Sequence, residues 1–395
     1  MIRYWKIITL CTFTVVIIGS FYIQTGLAEK TDIKIIFETI RGAEVELEDL
    51  SISAEYEKSN IYQSLRFTTK ETLNVNKLSL LESLNGAYTI PIYKKLVEEY
   101  KRFMRGKVVS PENYYEDENV VAYAAIETES TRKFAFEIDV LNKASGKNTA
   151  FKVDFPEKEK YNWLNVAKVQ VIEGKLKVFV RGSAENSEMI LATFDILEQK
   201  LEKSKLLLSS SDNWLNIRLL HDYQSIGYER YVLFYKENQG GTSEEARSTM
   251  DADSERTNTE LMVYDLVSDE LKSVKSPEDV QSMLYSASIQ DATLLIPSKS
   301  KEGIEIHPYD IEKEQWGDTI KFDMTSQKVE GPYESYMKLT DGKFYVVSAE
   351  ENGHALLIGD ITTGKVLYEG VLKVEKDGKL QSDYRLYING LKVDR

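Results

Sequence analysis

Alternation of apolar and polar positions dominates the chain. Residues 31–80 read I-K-I-I-F-E-T-I, then E-V-E-L-E-D-L-S-I-S-A-E-Y, then Y-Q-S-L-R-F-T-T-K. This period of two predicts strands, with Lys58, Ser59 and Asn60 as a hairpin turn. Alternation resumes at Asn119 with V-V-A-Y-A-A-I-E and F-A-F-E-I-D-V and runs on to a last strand at Tyr384 to Leu391. Two stretches break the pattern. In Pro91 to Lys107, Ile92, Leu96, Tyr100, Phe103 and Met104 recur at helical spacing, with Pro in the first turn and Gly106 at the end. One short amphipathic helix is predicted there, packing on the β domain or docking a membrane partner. Residues 239–258 are rich in acids, Ser and Thr without apolar periodicity, and are expected to be a disordered, protease-sensitive loop insertion.

The strands are organised in repeats. Ile358 to Val366 reads I-G-D-I-T-T-G-K-V, and weaker copies surround Asp139, Asp195, Asp265 and Asp310. Their spacings, roughly 56, 70, 45 and 50 residues, match one four-stranded unit per period. N-W-L-N occurs at Asn162 to Asn165 and again at Asn213 to Asn216. Asp before a tight turn accepts hydrogen bonds from the backbone two residues on, and Gly146 and Gly364 supply positive φ where the chain reverses. Turn chemistry is accordingly the expected role of all five aspartates.

The D-I-x-T-G-K-V stretch resembles the turn between the third and fourth strands of WD40-like and quinoprotein-like propeller repeats, and the resemblance extends over residues 115–395. It implies an all-β fold, a β-propeller of six or seven blades closed by pairing strands from opposite ends of the chain. Regular Trp-Asp pairs and cofactor signatures are missing, so no catalytic residue and no cofactor come with the resemblance. The expected organisation is an N-terminal anchor at 1–28, membrane-proximal strands and a short helix at 29–110, possible as a first blade, and the propeller at 111–395.

Arg3 and Lys6 precede Ile7 to Ile23, a run without charge. About 17 residues at roughly 1.5 Å each approach the hydrocarbon thickness of a bilayer. The positive residues stand before the run and acids follow it, which orients the N-terminus to the cytoplasm and the body outside. The run serves as a single-pass membrane anchor or, with small residues at Gly26 and Ala28, as a signal peptide cut after Ala28 to release a secreted protein. Its length favours the anchor. Cys11 is the one cysteine, so the exported body carries no disulfide, which suits a bacterial envelope without strong oxidative folding.

The net charge of -14 repels nucleic acid and anionic membrane surfaces and leaves solubility, or a surface that meets cations or a basic partner, as its use. His221, His307 and His354 fall at unmatched positions in the repeats, so no metal site is expected. Asp251, Asp253 and Glu255 imitate the start of a calcium loop but lack its Gly. No phosphate loop, nucleophile elbow or metalloprotease motif is present. Trp163 and Trp214, with Asn165 and Asn216 beside them and Tyr336 loosely analogous, are the candidate ligand-binding residues; wedging between neighbouring blades is the competing role of these rings. The function expected is a non-catalytic, membrane-anchored binding protein with a protein or envelope-glycan partner. The alternative is an envelope carbohydrate-active hydrolase or lyase using carboxylates around the propeller channel.

Overall fold

The computed structural model describes residues 12–14, 16, 33–58, 61–75, 91–130, 133–210, 217–220, 225–238, 258–275, 284–300, 303–325, 335–350, 353–382 and 384–393. Most of the apolar run 7–23 therefore lies outside the described residues, and so do His221 and the stretch 239–257. Among the described residues no helix is long and apolar enough to cross a membrane. The fold is all-β, with six antiparallel sheets of four or more strands among the described residues. The chain forms two compact units, Met1–Tyr88 with Phe322–Arg395 and Thr89–Lys321.

In the first unit, opposite ends of the chain exchange strands. Ile33–Gly42 pairs antiparallel with Lys365–Lys376, at the edge of a sheet that continues through Gly353–Asp360, Lys343–Glu350 and Ser335–Thr340. Arg385–Val393, the last strand, pairs in turn with Leu50–Lys58 and completes the sheet that runs on through Ile61–Phe67 and Thr72–Asn74. Each sheet thus contains backbone from both ends, and an edge that would expose unpaired amides is covered. One core, including Ile35, Ile52, Phe67, Leu356, Tyr368 and Leu386, serves both sheets.

The second unit holds four sheets in chain order, spanning 114–154, 163–210, 217–274 and 288–316. The alternation read in the sequence now has a physical use on both faces of the inner sheets. Val178, Val180 and Phe194 join Phe136 and Phe155 of the preceding sheet, whereas Phe179, Met189 and Leu191 join Phe234 and Tyr264 of the following one. The next core repeats the rule, with Leu233, Leu261 and Val263 against Leu294 and Ile296. A strand buried on both sides tolerates few polar positions, which makes the exceptions informative.

The helix forms over Pro91–Glu99, and its chain continues in turns to Gly106 at φ +80°. Leu96, Phe103 and Met104 bury against Tyr114, Val121 and Tyr123, so this helix packs on the β domain.

Four of the five repeat aspartates do the expected work. Asp195 Oδ1 accepts the amides of Leu197 and Glu198 (2.9 Å each), Asp265 Oδ1 that of Val267 (2.9 Å), Asp310 Oδ1 those of Glu312 and Lys313 (3.1 and 2.9 Å), and Asp360 Oδ1 those of Thr362 and Thr363 (2.8 Å each). Asp139 is the correction. The first repeat turns three residues later, at Asn142, whose Oδ1 accepts the amide of Ser145 at 2.9 Å. Asp139 stays inside the strand Lys133–Asn142, directly opposite Tyr123, and its Oδ2 accepts Lys107 Nζ at 2.6 Å.

Candidate functional site

Trp163 opens the strand Trp163–Ile172, and the corner before it is fixed by its backbone. The Asn162 amide donates to the Ser183 carbonyl at 2.8 Å, and Tyr161 donates its hydroxyl to Glu188 at 2.8 Å while its ring stacks edge-on against Phe155. Across the sheet the register sets Trp163 opposite Ser183 and Ser183 opposite Ser187; one step inward, Asn165 stands opposite Arg181 and Arg181 opposite Met189. Residues directly opposite, and residues two apart on one strand, share a face. Trp163, Asn165, Arg181, Ser183 and Ser187 therefore occupy one face, at the end of the core to which Met189 belongs.

The arrangement is rich in donors. The Arg181 guanidinium carbon lies 5.8 Å from the centre of the Trp163 ring, within cation–π range. Arg181 Nε and Ser187 Oγ are both buried and have no hydrogen-bond partner among the described residues, and Ser187 as a whole is 1% exposed. A buried donor left without an acceptor costs about 1–3 kcal/mol, more when the group is charged. A ligand oxygen that reached these donors would recover that cost.

Of the residues singled out from the sequence, Trp163 and Asn165 thus come together. Tyr336 belongs to the other unit, where it stands opposite Val347 and packs on that unit's core. Trp214 and Asn216 lie outside the described residues. Arg181 and Ser187 were missed from the sequence. The available signal was Arg181 itself, a cation at an inward position of the near-continuous apolar strand K-V-F-V-R-G.

Two other polar clusters lie in the same unit. Lys107 and Asp139 have only 10% and 13% of their side-chain surface exposed, and the Lys107 ammonium also lies 4.1 Å from the centre of the Phe103 ring. On the same sheet face, Glu137 is held above the usual carboxylate range by burial and then by the charge of Glu127. A small cavity of about 10 Å³ lies between Pro111, Glu112, Lys168 and Gln170. It has room for about one water molecule. Among the described residues no group of three or more His, Cys, Asp or Glu is placed to hold a metal ion.

No protein-family model and no curated protein matches the chain. Solved structures similar to it include TolB from Acinetobacter baumannii, at 10% identity and TM-score 0.30 over 85% of this chain and 66% of that one. The β-propeller domain of the Trilobed protease from Pyrococcus furiosus matches at 10% identity and TM-score 0.33, over 88% of this chain and 97% of that one. Pyrococcus horikoshii acylaminoacyl peptidase matches at 12% identity and TM-score 0.33 over 70% of this chain, which spans 52% of that enzyme.

Proposed function

We propose that the six sheets are the blades of a propeller held at the outer face of a cell membrane by residues 7–23, and that the protein is a non-catalytic binding module acting as a sensor, scaffold or assembly factor in the envelope. The observation that carries the binding role is the corner of Trp163 and Arg181, where buried donors have no acceptor among the described residues although the chain is strongly acidic. The anchor rests on the uncharged run and on the position of Arg3 and Lys6 before it. Crosslinking in living cells, followed by purification of the full-length protein from mild-detergent membranes, tests the reading. A stoichiometric partner that disappears with Trp163→Ala and Arg181→Gln is the expected result. A partner retained by that variant would remove the corner from the function.

A second reading, an envelope hydrolase, draws on Glu127 and Glu137. Burial and the neighbouring Glu127 raise the pKa of Glu137, and two carboxyl groups set apart in this way are what glycoside hydrolysis uses. Turnover of a wall glycan that is lost with Glu137→Gln would establish it in place of the binding reading.

A further inference from the structure

We infer that the corner formed by Trp163, Arg181 and Ser187 is a receptor for a carboxylate presented by a peptide, an assignment that rests on the binding reading above and names its ligand class. The sheet register alone brings the three side chains to one face, because Trp163 faces Ser183, Ser183 faces Ser187, and Arg181 lies two residues from Ser183 on the same strand. Arg181 carries a planar fork of donors, and the indole of Trp163 beneath it restricts its orientation. The buried Nε of that fork and the buried Ser187 hydroxyl, both without a partner among the described residues, call for oxygen acceptors. A carboxylate supplies two such oxygens in one plane, and a charge-assisted bond to guanidinium is stronger than a neutral one.

Charge selects among anions. The corner offers a single guanidinium in a chain of net charge -14, which suits one negative charge and disfavours a phosphate dianion. The ring face selects among carriers of the carboxylate. A sugar ring would stack on the indole, but Arg181 lies over a face of that ring. An extended peptide needs no such face, and its carboxylate reaches the guanidinium directly.

The test is isothermal titration of the full-length protein in mild detergent with acetyl-Ala-Ala bearing a free carboxylate, with the same peptide amidated, and with glucuronate. The acid form is expected to bind saturably and at least tenfold more tightly than the amide. Arg181→Gln should remove that difference, Arg181→Lys should keep part of it, and Ser187→Ala should weaken binding of the acid several-fold. Equal binding of acid and amide, or wild-type binding by Arg181→Gln and Ser187→Ala, would overturn the site; so would no binding of any carboxylate. Glucuronate binding more tightly than the peptide acid would overturn the peptide assignment. These results are independent of the crosslinking experiment: a captured partner with no carboxylate preference leaves the binding module standing and rejects its ligand class.

Discussion

Lys107 Nζ and Asp139 Oδ2 meet at 2.6 Å beneath the chain that follows the helix, and the ammonium also donates to the Phe103 carbonyl at 2.5 Å. The pair joins the end of the helical segment to the middle of a strand. Desolvating both charges offsets much of their attraction, so the pair adds little net stability, yet either partner alone is an uncompensated buried charge. Lys107→Met should therefore cost about 3 kcal/mol in urea unfolding, and Lys107→Met with Asp139→Leu should regain most of it. A single variant that unfolds at the wild-type midpoint would show the carboxylate to be solvated.

The five repeat turns share a second feature that the sequence displays only in part. The fourth residue after Asn142, Asp195, Asp265, Asp310 and Asp360 has positive φ, at 66°, 56°, 60°, 56° and 67° for Gly146, Gln199, Asp269, Glu314 and Gly364. Only two of these are glycine, so three turns hold an ordinary residue in the left-handed region. Relief of that strain should exceed the added chain entropy, and Gln199→Gly should stabilise by about 0.5–1 kcal/mol. Gly364→Ala should destabilise by about 1 kcal/mol, since Ala has to adopt the same conformation. Thermal unfolding of both variants checks the pair of signs; a loss on Gln199→Gly would show that its side chain outweighs the strain.

Those turns also show what could be read from sequence. Alternation gave the strands, and the amide-accepting carboxylates at Asp195, Asp265, Asp310 and Asp360 gave the repeat, because both are local. Asp139 misled because its flanking residues, E-I-D-V, imitate the repeat while the true turn residue is an Asn three positions later. Only the partner strand and Lys107, distant in sequence, distinguish the two. The candidate corner is similar: Trp163 and Asn165 stand together in the sequence, whereas Arg181 and Ser187 reach them through the pairing of three strands. A cation in an apolar strand is visible in the sequence, but the lack of a partner for its Nε among the described residues is not.

Glu369 has none of its surface exposed, and its two oxygens are divided between the strand Ile33–Gly42 and the bend at Thr325. Oε2 accepts Arg41 Nε at 2.6 Å, and Oε1 accepts the amide and hydroxyl of Thr325, which lies in a bend, at 2.8 and 2.6 Å. Arg41 belongs to the N-terminal strand, so the carboxylate clamps that strand to Lys365–Lys376. Arg41→Ala leaves the charge buried and should cost about 3–5 kcal/mol, and Glu369→Gln, which removes the charge, should cost less. Hydrogen exchange of the amides in Ile33–Gly42 should accelerate more in Arg41→Ala than in Glu369→Gln. The reverse order would mean that the strand is held by its backbone ladder and not by the clamp.

His354 makes the stability of the same unit depend on pH. Burial lowers its pKa from 6.5 to about 4, against a hydrogen bond between Nε2 and the Leu386 carbonyl at 2.9 Å that acts in the opposite direction. Nε2 is the donor to that carbonyl, which leaves Nδ1 deprotonated, buried and without a partner among the described residues. A proton on Nδ1 would find no acceptor among the described residues. The folded chain thus resists a proton that the unfolded chain accepts, so the contribution is complete above pH 6.5 and is lost as the pH falls toward 4. Two and a half pKa units correspond to roughly 3 kcal/mol, most of it gone by pH 4.5. Urea unfolding of the wild type and of His354→Gln at pH 7 and pH 4.5 isolates this share, because the carboxylates titrate alike in both proteins. The wild type should lose roughly 2–3 kcal/mol more than the variant over that interval. Equal losses would place the proton on His354 in the folded state, and the Leu386 contact would then have to tolerate a buried imidazolium.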